Sequence, residues 1–342
     1  MLPTITALKL NDNQWRAASL NNDVARTELA AFGFSFSREL RDGTAIYLGT
    51  PAAGGRPQNE DAAIVFDDLS MAAANCMRPT ANVQLMAIVN LTADSFSDGG
   101  TYQVDDGALL AHCQKLVADG AALLDLGAES TRPGAIYVDE QTQLALLKNA
   151  LNVIKDLDVP LSIDTRSSLV AEACLDSGAK MINDVSAFGD RQMAKVVAKF
   201  GAKVVLMHSR GTSQTMQQMC NYDHLLGNIC DELALSINHG LSCGIPPDCI
   251  IIDPGIGFAK TASQNFEIIK NLSAFRSLGF SVLAGPSRKS FIASVLPQLA
   301  ADERDGATIG AASVCAFNGA EYLRLHCGGT NWDAVKIAQA CS

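Results

Sequence analysis

From Val83 onward, short apolar runs of this sequence end again and again in a residue that can carry charge or form hydrogen bonds. Asn90 closes QLMAIV, Glu129 to Arg132 follow ALLDLGA, and Asp164 closes LSI. Asn183 and Asp184 follow KMI, His208 follows KVVLM, and Asp253 follows CIII. Arg288 and Lys289 come after SVLAGPS, while Arg324 and His326 lie in EYLRLH. One such residue ordinarily caps a helix or closes a turn. In register over eight runs, they describe the mouth of a ligand site. The set is mixed: carboxylates and an amide can bind the edge of a flat heterocycle, and cations can hold anionic oxygens. It points to a heteroaromatic substrate carrying phosphate.

The elements that must position these residues read as βαβα grammar, apolar strands alternating with amphipathic segments of helical length. Candidate strands are 84–90, 122–128, 161–164, 180–184, 203–208, 249–253, 281–284 and 321–326. Segments 106–119 and 167–177 carry apolar residues at three- and four-residue spacing and close on Asp-Gly and Ser-Gly. Eight strands within this length predict an α/β fold, a (β/α)₈ TIM barrel over residues 81–342, with the site at the strands' C-terminal ends. A doubly wound open sheet is the runner-up, disfavoured because no Gly-x-Gly-x-x-Gly follows the first strand. Residues 1–80 read as a small α+β appendage of unassigned role. It has a helix in VARTELAAF, a hairpin of FSFSREL and TAIYLG around Arg41-Asp42-Gly43, and a linker in PAAGGRP.

Composition narrows the classes. Hydrophobic residues at 48% and charged residues at 18% suit a buried core. A net charge of −10 argues against a nucleic-acid partner, which needs a basic face. The first ten residues lack a signal-peptide layout and no apolar run approaches the ~18 residues of a membrane span. No membrane partner and a cytoplasmic location are expected. The ten cysteines contain no C-x-x-C pair, which suits reduced thiols that pack as small hydrophobes.

At these same clusters the sequence resembles the dihydropteroate synthase family. NLTADSFSDGG from Asn90 looks like its first loop and ESTRPG from Glu129 like its second. SIDT with Asp164, IND with Asn183, DPGIGF from Asp253, SRKSF from Ser287 and RLH from Arg324 resemble its later signatures, in order. The resemblance implies transfer of a pterin methylene from 6-hydroxymethyl-7,8-dihydropterin diphosphate to para-aminobenzoate, in folate biosynthesis, with sulfonamide analogues as competitors. It implies that Asp164, Asn183, Asp253 and Lys289 read the pterin, and that Asn90, Thr131, Arg324 and His326 hold the diphosphate. Phe96, Pro133, Phe258 and Ser290 surround the aminobenzoate, and the amide oxygen of Asn90 is a ligand for Mg²⁺. Asp94, Phe96 and Asp98 on the first loop and Arg132 on the second, with Lys289, complete the catalytic set. The implied path is dissociative and needs no nucleophilic side chain. A homodimer is the implied assembly.

Three positions depart from the family pattern. Ala93 stands where Pro is usual, which would loosen the first loop; Ala128 replaces the commoner Gly; and Cys327 follows His326 where an acidic residue is usual. Arg288 fits either the ligand mouth or a salt bridge beneath it. Two other functions fit parts of the pattern: a pterin-binding methyltransferase domain, which has no use for the cations of SRKS and RLH, and a non-catalytic pterin-binding protein.

Overall fold

A computed structural model describes residues 7–11, 14–20, 27, 29–31, 33–39, 44–49, 63, 67–68, 71–72, 74–76, 82–91, 106–130, 132, 134–135, 137–326 and 328–342. From residue 84 the chain alternates strand and helix. The strands are β5 (Gln84–Asn90), β6 (Leu123–Gly127), β7 (Leu161–Asp164), β8 (Met181–Asp184), β9 (Lys203–Met207), β10 (Ile250–Asp253), β11 (Ser281–Ala284) and β12 (Tyr322–Leu325). They pair parallel in sequence order, and β12 closes on β5, giving a closed barrel that rules out the open-sheet alternative. The helices are α1 (Asp106–Ala118), α2 (Glu140–Val153), α3 (Ser168–Asp176), α4 (Met193–Phe200), α5 (Leu225–Ser242), α6 (Ala262–Lys270), α7 (Asp305–Phe317) and α8 (Thr330–Ala340).

Local chemistry sets the helix ends. Asp139 caps α2 by accepting from the N–H groups of Gln141 and Thr142 at 3.1 and 3.0 Å. Thr261 and Gln264 form a capping box at the start of α6. After α3 the chain turns through Gly178 at φ +104°, with Ala179 N–H donating to Cys174 O at 3.1 Å. This is the Ser-Gly stop legible in the sequence.

Strand faces divide the core. Leu85, Ala87, Val89, Ile163, Ile182, Leu206, Ile252 and Leu323 point outward into the layer shared with the helices. The alternate positions point inward, where Met86, Leu123, Met181, Val205, Ile251, Leu283 and Tyr322 form an apolar plug. No disulfide links the nine described cysteines, and Cys113, Cys174, Cys230 and Cys315 pack as buried apolar residues.

Ahead of the barrel, β1 (Ala7–Asn11), β2 (Gln14–Leu20), β3 (Phe34–Glu39) and β4 (Thr44–Gly49) form an antiparallel sheet in the order β1-β2-β4-β3. The β3–β4 hairpin matches the expected one, although Arg41, Asp42 and Gly43 lie outside the described residues, as does the linker 51–57. The pair β1 and β2 was not expected. Of the expected helix, Thr27 and Leu29 to Ala31 are described, and they are helical. Strand β1 lies against the 3₁₀ stretch Leu272–Leu278, just before β11 begins. Nearby, Arg276 Nη1 donates to Cys76 O at 3.0 Å and Asn75 Nδ2 to Ser277 O at 3.3 Å. The sheet therefore attaches at the N-terminal end of the barrel strands, away from the mouth.

Candidate active site at the barrel mouth

Two residues beyond the apolar plug, on the same strand faces, the interior becomes polar. Asp125 follows Leu123, Asn183 follows Met181, Asp253 follows Ile251 and Arg324 follows Tyr322, and Asp164 of β7 joins them. The carboxylates and Asn183 are at most 6% exposed. Buried charges must be paired or bonded, and here Arg324 does much of that. Its Nε donates to Asp125 Oδ2 at 2.6 Å and its Nη2 to Asp164 Oδ2 at 2.7 Å, while Asn183 Nδ2 donates to Asp125 Oδ2 at 3.2 Å. Asp125 Oδ1 and the neighbouring Ser162 Oγ have no hydrogen-bond partner among the described residues.

Electrostatics follow from that crowding. Burial pushes Asp164 up to about 7 against the pull of Arg324, with Asp125, Glu129 and Asp184 adding to the rise. Burial also raises Asp253, opposed by Lys289, the Gly255 N–H at 2.7 Å from Oδ1, Lys260 and Arg324. Lys289 is pulled down to about 8 by burial, against the attraction of Asp253. Its ammonium donates to Ile256 O and sits 4.5 Å from the centre of the Phe258 ring. For Arg324, burial opposes the charge, but Asp125 and Asp164 outweigh it and its pKa rises.

At the rim, Ser287 Oγ lies 2.9 Å from His326 Nδ1 and accepts from the His326 N–H at 3.2 Å. Burial, then the charges of Arg288, Arg324 and Arg132, push His326 down to about 3. The imidazole is therefore neutral and shares one hydrogen bond with the Ser287 hydroxyl through Nδ1. Arg132 is exposed, close enough for its charge to act on His326. Asn90 ends β5 half-buried, in register with Gly127.

Phe258 is half-buried and lines a cavity of about 240 Å³ with Ser130, Arg166, Ser186, Thr212 and Met216. Ser290 is exposed and begins a 3₁₀ turn next to Lys289. Asp94, Phe96, Asp98, Thr131 and Pro133 lie outside the described residues.

Other strand-end residues hold the scaffold. Glu129 accepts from Arg166 Nη2 at 2.8 Å through each carboxylate oxygen. Asp184 accepts from the N–H and Oγ of Ser186 and from the Phe188 N–H, fixing a turn in which Ala187 and Phe188 both have positive φ. Arg288 forms a bidentate salt bridge with Asp305, Nε donating to Oδ1 at 2.7 Å and Nη2 to Oδ2 at 2.8 Å, so of its two sequence readings the structure takes the salt bridge.

Two residues escaped the sequence reading. Asp125 sits inside LLDLG, one layer below the strand end where the reading looked. Its signal was there: a lone carboxylate in an apolar strand on the inward parity. Lys260 lies beyond the DPGIGF run and is 3% exposed; nothing in its sequence neighbourhood marks it as buried.

The pterin binding enzyme family profile matches residues 86–326. A dihydropteroate synthase from Synechocystis is 38% identical over 259 residues, 75% of this chain and 87% of that protein. Among solved structures, the Clostridium difficile dihydropteroate synthase crystallised in the presence of pteroic acid superposes with a TM-score of 0.72 at 36% identity, covering 77% of this chain and 98% of that one. The Xanthomonas albilineans dihydropteroate synthase with 4-aminobenzoic acid gives 0.70 at 35% identity, covering 76% and 93%. All these matches leave much of the N-terminal sheet uncovered by their shares of the chain. Since the profile spans nearly the whole barrel and the relatives align over almost their full lengths, the chain belongs to the pterin-binding transferases of the dihydropteroate synthase family.

Proposed function

We propose that the barrel condenses 6-hydroxymethyl-7,8-dihydropterin diphosphate with para-aminobenzoate, giving 7,8-dihydropteroate and pyrophosphate. The observation that carries this reading is the buried polar layer of Asp164, Asn183 and Asp253, with the half-buried Lys289, around one opening above an apolar plug. A pterin presents amino and ring N–H donors to the carboxylates and an amide edge to Asn183, which both donates and accepts. An analogue lacking those groups would leave buried partners unpaired, at ~1–3 kcal/mol each.

In the reaction the methylene C–O bond breaks with its electron pair leaving on pyrophosphate. The aniline nitrogen forms the new C–N bond and gives up a proton. Asp164 and Asp253 face the positive charge that develops on the pterin, while Arg324, Arg132 and His326 face the departing oxygens. Catalysis is then charge stabilisation and positioning, with no covalent intermediate on the protein. The roles of Thr131 at the diphosphate, and of Asp94, Phe96 and Asp98 in excluding water, rest on the resemblance. So do those of Pro133 and Phe96 against the aminobenzoate ring and of Ser290 at its carboxylate.

Mg²⁺ suits the residues present. Asn90 offers a half-buried amide oxygen at the mouth, and no cluster of three His, Cys, Asp or Glu that could cage a metal exists among the described residues. One protein oxygen fits an ion that keeps its waters and shares the substrate's phosphates. Such an ion supplies charge neutralisation to the leaving diphosphate.

The substrates are small molecules. The proposed assembly is a homodimer, for which Val314 and Phe317 of α7 and Ile337 of α8, 45%, 51% and 68% exposed, supply apolar surface. A cytoplasmic location is proposed alongside; no helix of the described residues is long and apolar enough to cross a membrane.

The test is pyrophosphate release by purified protein with both substrates and Mg²⁺, beside Asp164→Ala and Lys289→Ala. Dihydropteroate formed by the wild type and lost in both variants supports the synthase. Tight pterin binding without product would favour the non-catalytic reading.

A further inference from the structure

Beyond Asp253 the chain turns back through Pro254 to Ala259 and delivers Lys260 into the protein, 3% exposed. Its Nζ donates to Phe258 O at 2.9 Å and lies 3.1 Å from His208 Nδ1. An ammonium has no acceptor, so Nδ1 accepts and the ring proton sits on Nε2, which points at Glu232 Oε2 at 3.0 Å. Glu232, on α5, is gripped in turn by Arg210, whose Nε lies 3.1 and 3.2 Å from the two carboxylate oxygens. An arginine, a carboxylate, an imidazole and an ammonium thus run inward in a line that ends on the carbonyl of Phe258.

The same loop is fixed from its other side. Lys289 donates to Ile256 O and covers the Phe258 ring. Two ammonium groups therefore hold two carbonyls, two residues apart, in the segment that separates Asp253 from the aminobenzoate cavity. The backbone of the segment is unusual: Ala259 has φ +49°, and Gly255, at φ +73°, approaches the end of β9 so closely that a Cβ there would lie 1.9 Å from His208 O. Burying an ammonium costs several kcal/mol, yet the hydrogen-bond partners of Lys260 are both neutral.

We propose that Lys260, oriented by His208 and Glu232, is a positioning residue that sets the Phe258 wall of the aminobenzoate site. This rests on the synthase reading above. The groups that face Lys260 are Asp253 at the end of β10, Lys289 after β11, Glu232 of α5, and His208 and Arg210 after β9. Those that face Asp253 are Lys289, Lys260, Arg324 and the buried Cys315 thiol. Burial pulls Lys260 down to about 7 while Asp253 pulls it up, and the Lys260 charge holds Asp253 down against burial. Removing that charge lets Asp253 take up its proton at higher pH.

The experiment compares the full-length wild type with Lys260→Met, Lys260→Arg and Glu232→Gln in steady-state kinetics on both substrates and in pterin binding against pH. Lys260→Met should raise KM for para-aminobenzoate about tenfold, the scale of one charge-assisted hydrogen bond, with a smaller fall in kcat. The acid limb of pterin binding should move to higher pH, return in Lys260→Arg, and move less far in Glu232→Gln. A folded Lys260→Met with unchanged KM and unchanged limb overturns the proposal. Should that variant not fold, Glu232→Gln with both quantities unchanged overturns it equally. A wild type that binds pterin but forms no dihydropteroate sinks the synthase reading instead, and the pterin-binding limb of the same variants still decides the role of Lys260.

Discussion

Arg324 Nη2 donates to Asp164 Oδ2 at 2.7 Å, so the residue assigned to the leaving group is in contact with one assigned to the pterin. A bound pterin must share Asp164 with the guanidinium. Asp164 has its pKa near 7, and binding that needs the carboxylate ionised should weaken about tenfold per unit of pH below that point. Calorimetric titration of pterin between about pH 5 and pH 9 checks this; a flat profile excludes an ionised Asp164 as the reader. Stability runs the other way. The folded pKa lies above the ordinary carboxylate value, so the unfolded chain gives up its proton first, and stability should fall as pH rises from about 4 to about 7.

The partners of Arg324 make a second prediction with opposite signs in one assay. Arg324 holds Asp164 down, whereas Asp125 raises it. Arg324→Met should move the acid limb of pterin binding up in pH, and Asp125→Asn should move it down. In chemical denaturation Asp125→Ala should also cost ~2 kcal/mol, because it strips a buried carboxylate partner from a half-buried guanidinium. Limbs moving in the same direction would mean that the three groups do not interact as their contacts indicate.

Why Asp125 had to be found in the structure follows from the same geometry. The sequence rule looked for polar residues that close apolar runs, and Asp164, Asn183 and Asp253 do close theirs. Asp125 lies two residues before the end of β6, where a long apolar strand hides it, although its inward parity matches that of Leu123 and Gly127. The barrel strands themselves were legible to within a residue or so at each end, because parallel strands buried on both faces read as continuous apolar runs. Strands β1 and β2 were not legible. Leu8-Lys9-Leu10-Asn11 and Gln14-Trp15-Arg16-Ala17 do alternate apolar and polar residues, but over few positions and with no continuous apolar run to mark a strand. Lys260 escaped for another reason: its environment comes from β9 and α5, remote in sequence.

Arg288 and Lys289 are neighbours with different tasks, and substitution should separate them. Arg288 is bound through two hydrogen bonds to Asp305 at a part-exposed site. Arg288→Ala should cost about 1 kcal/mol of stability and leave KM for the pterin close to that of the wild type. Asp305 is held below its ordinary value, first by its bond to Arg288. Its contribution is present above the unfolded carboxylate pKa and lost as pH falls through the lowered folded one, so the cost of Arg288→Ala should shrink in acid. Lys289→Ala should instead abolish turnover while melting changes little. Equal loss of activity in both would place Arg288 at the ligand.

Gly255 and Gly257 test whether the loop after β10 is held by backbone or by side chain. Both have positive φ, +73° and +86°, so alanine strains either one. The neighbours differ. At Gly255 a Cβ would lie 1.9 Å from His208 O, a backbone atom anchored by the His208 N–H to Asp253 O bond at 2.8 Å, and it cannot move aside. At Gly257 the clash is with Lys289 Cδ at 2.7 Å, part of a flexible stem that can swing away. Gly255→Ala should therefore cost more than ~2 kcal/mol in denaturation, strain and backbone displacement together. Gly257→Ala should cost only about 1 kcal/mol but raise KM for the pterin, because Lys289 is driven from Ile256 O and Phe258. Denaturant melts beside pterin KM values read both quantities. The reverse order, a stable Gly255→Ala and an unstable Gly257→Ala with normal KM, would mean that Lys289 braces the fold and does not read the substrate.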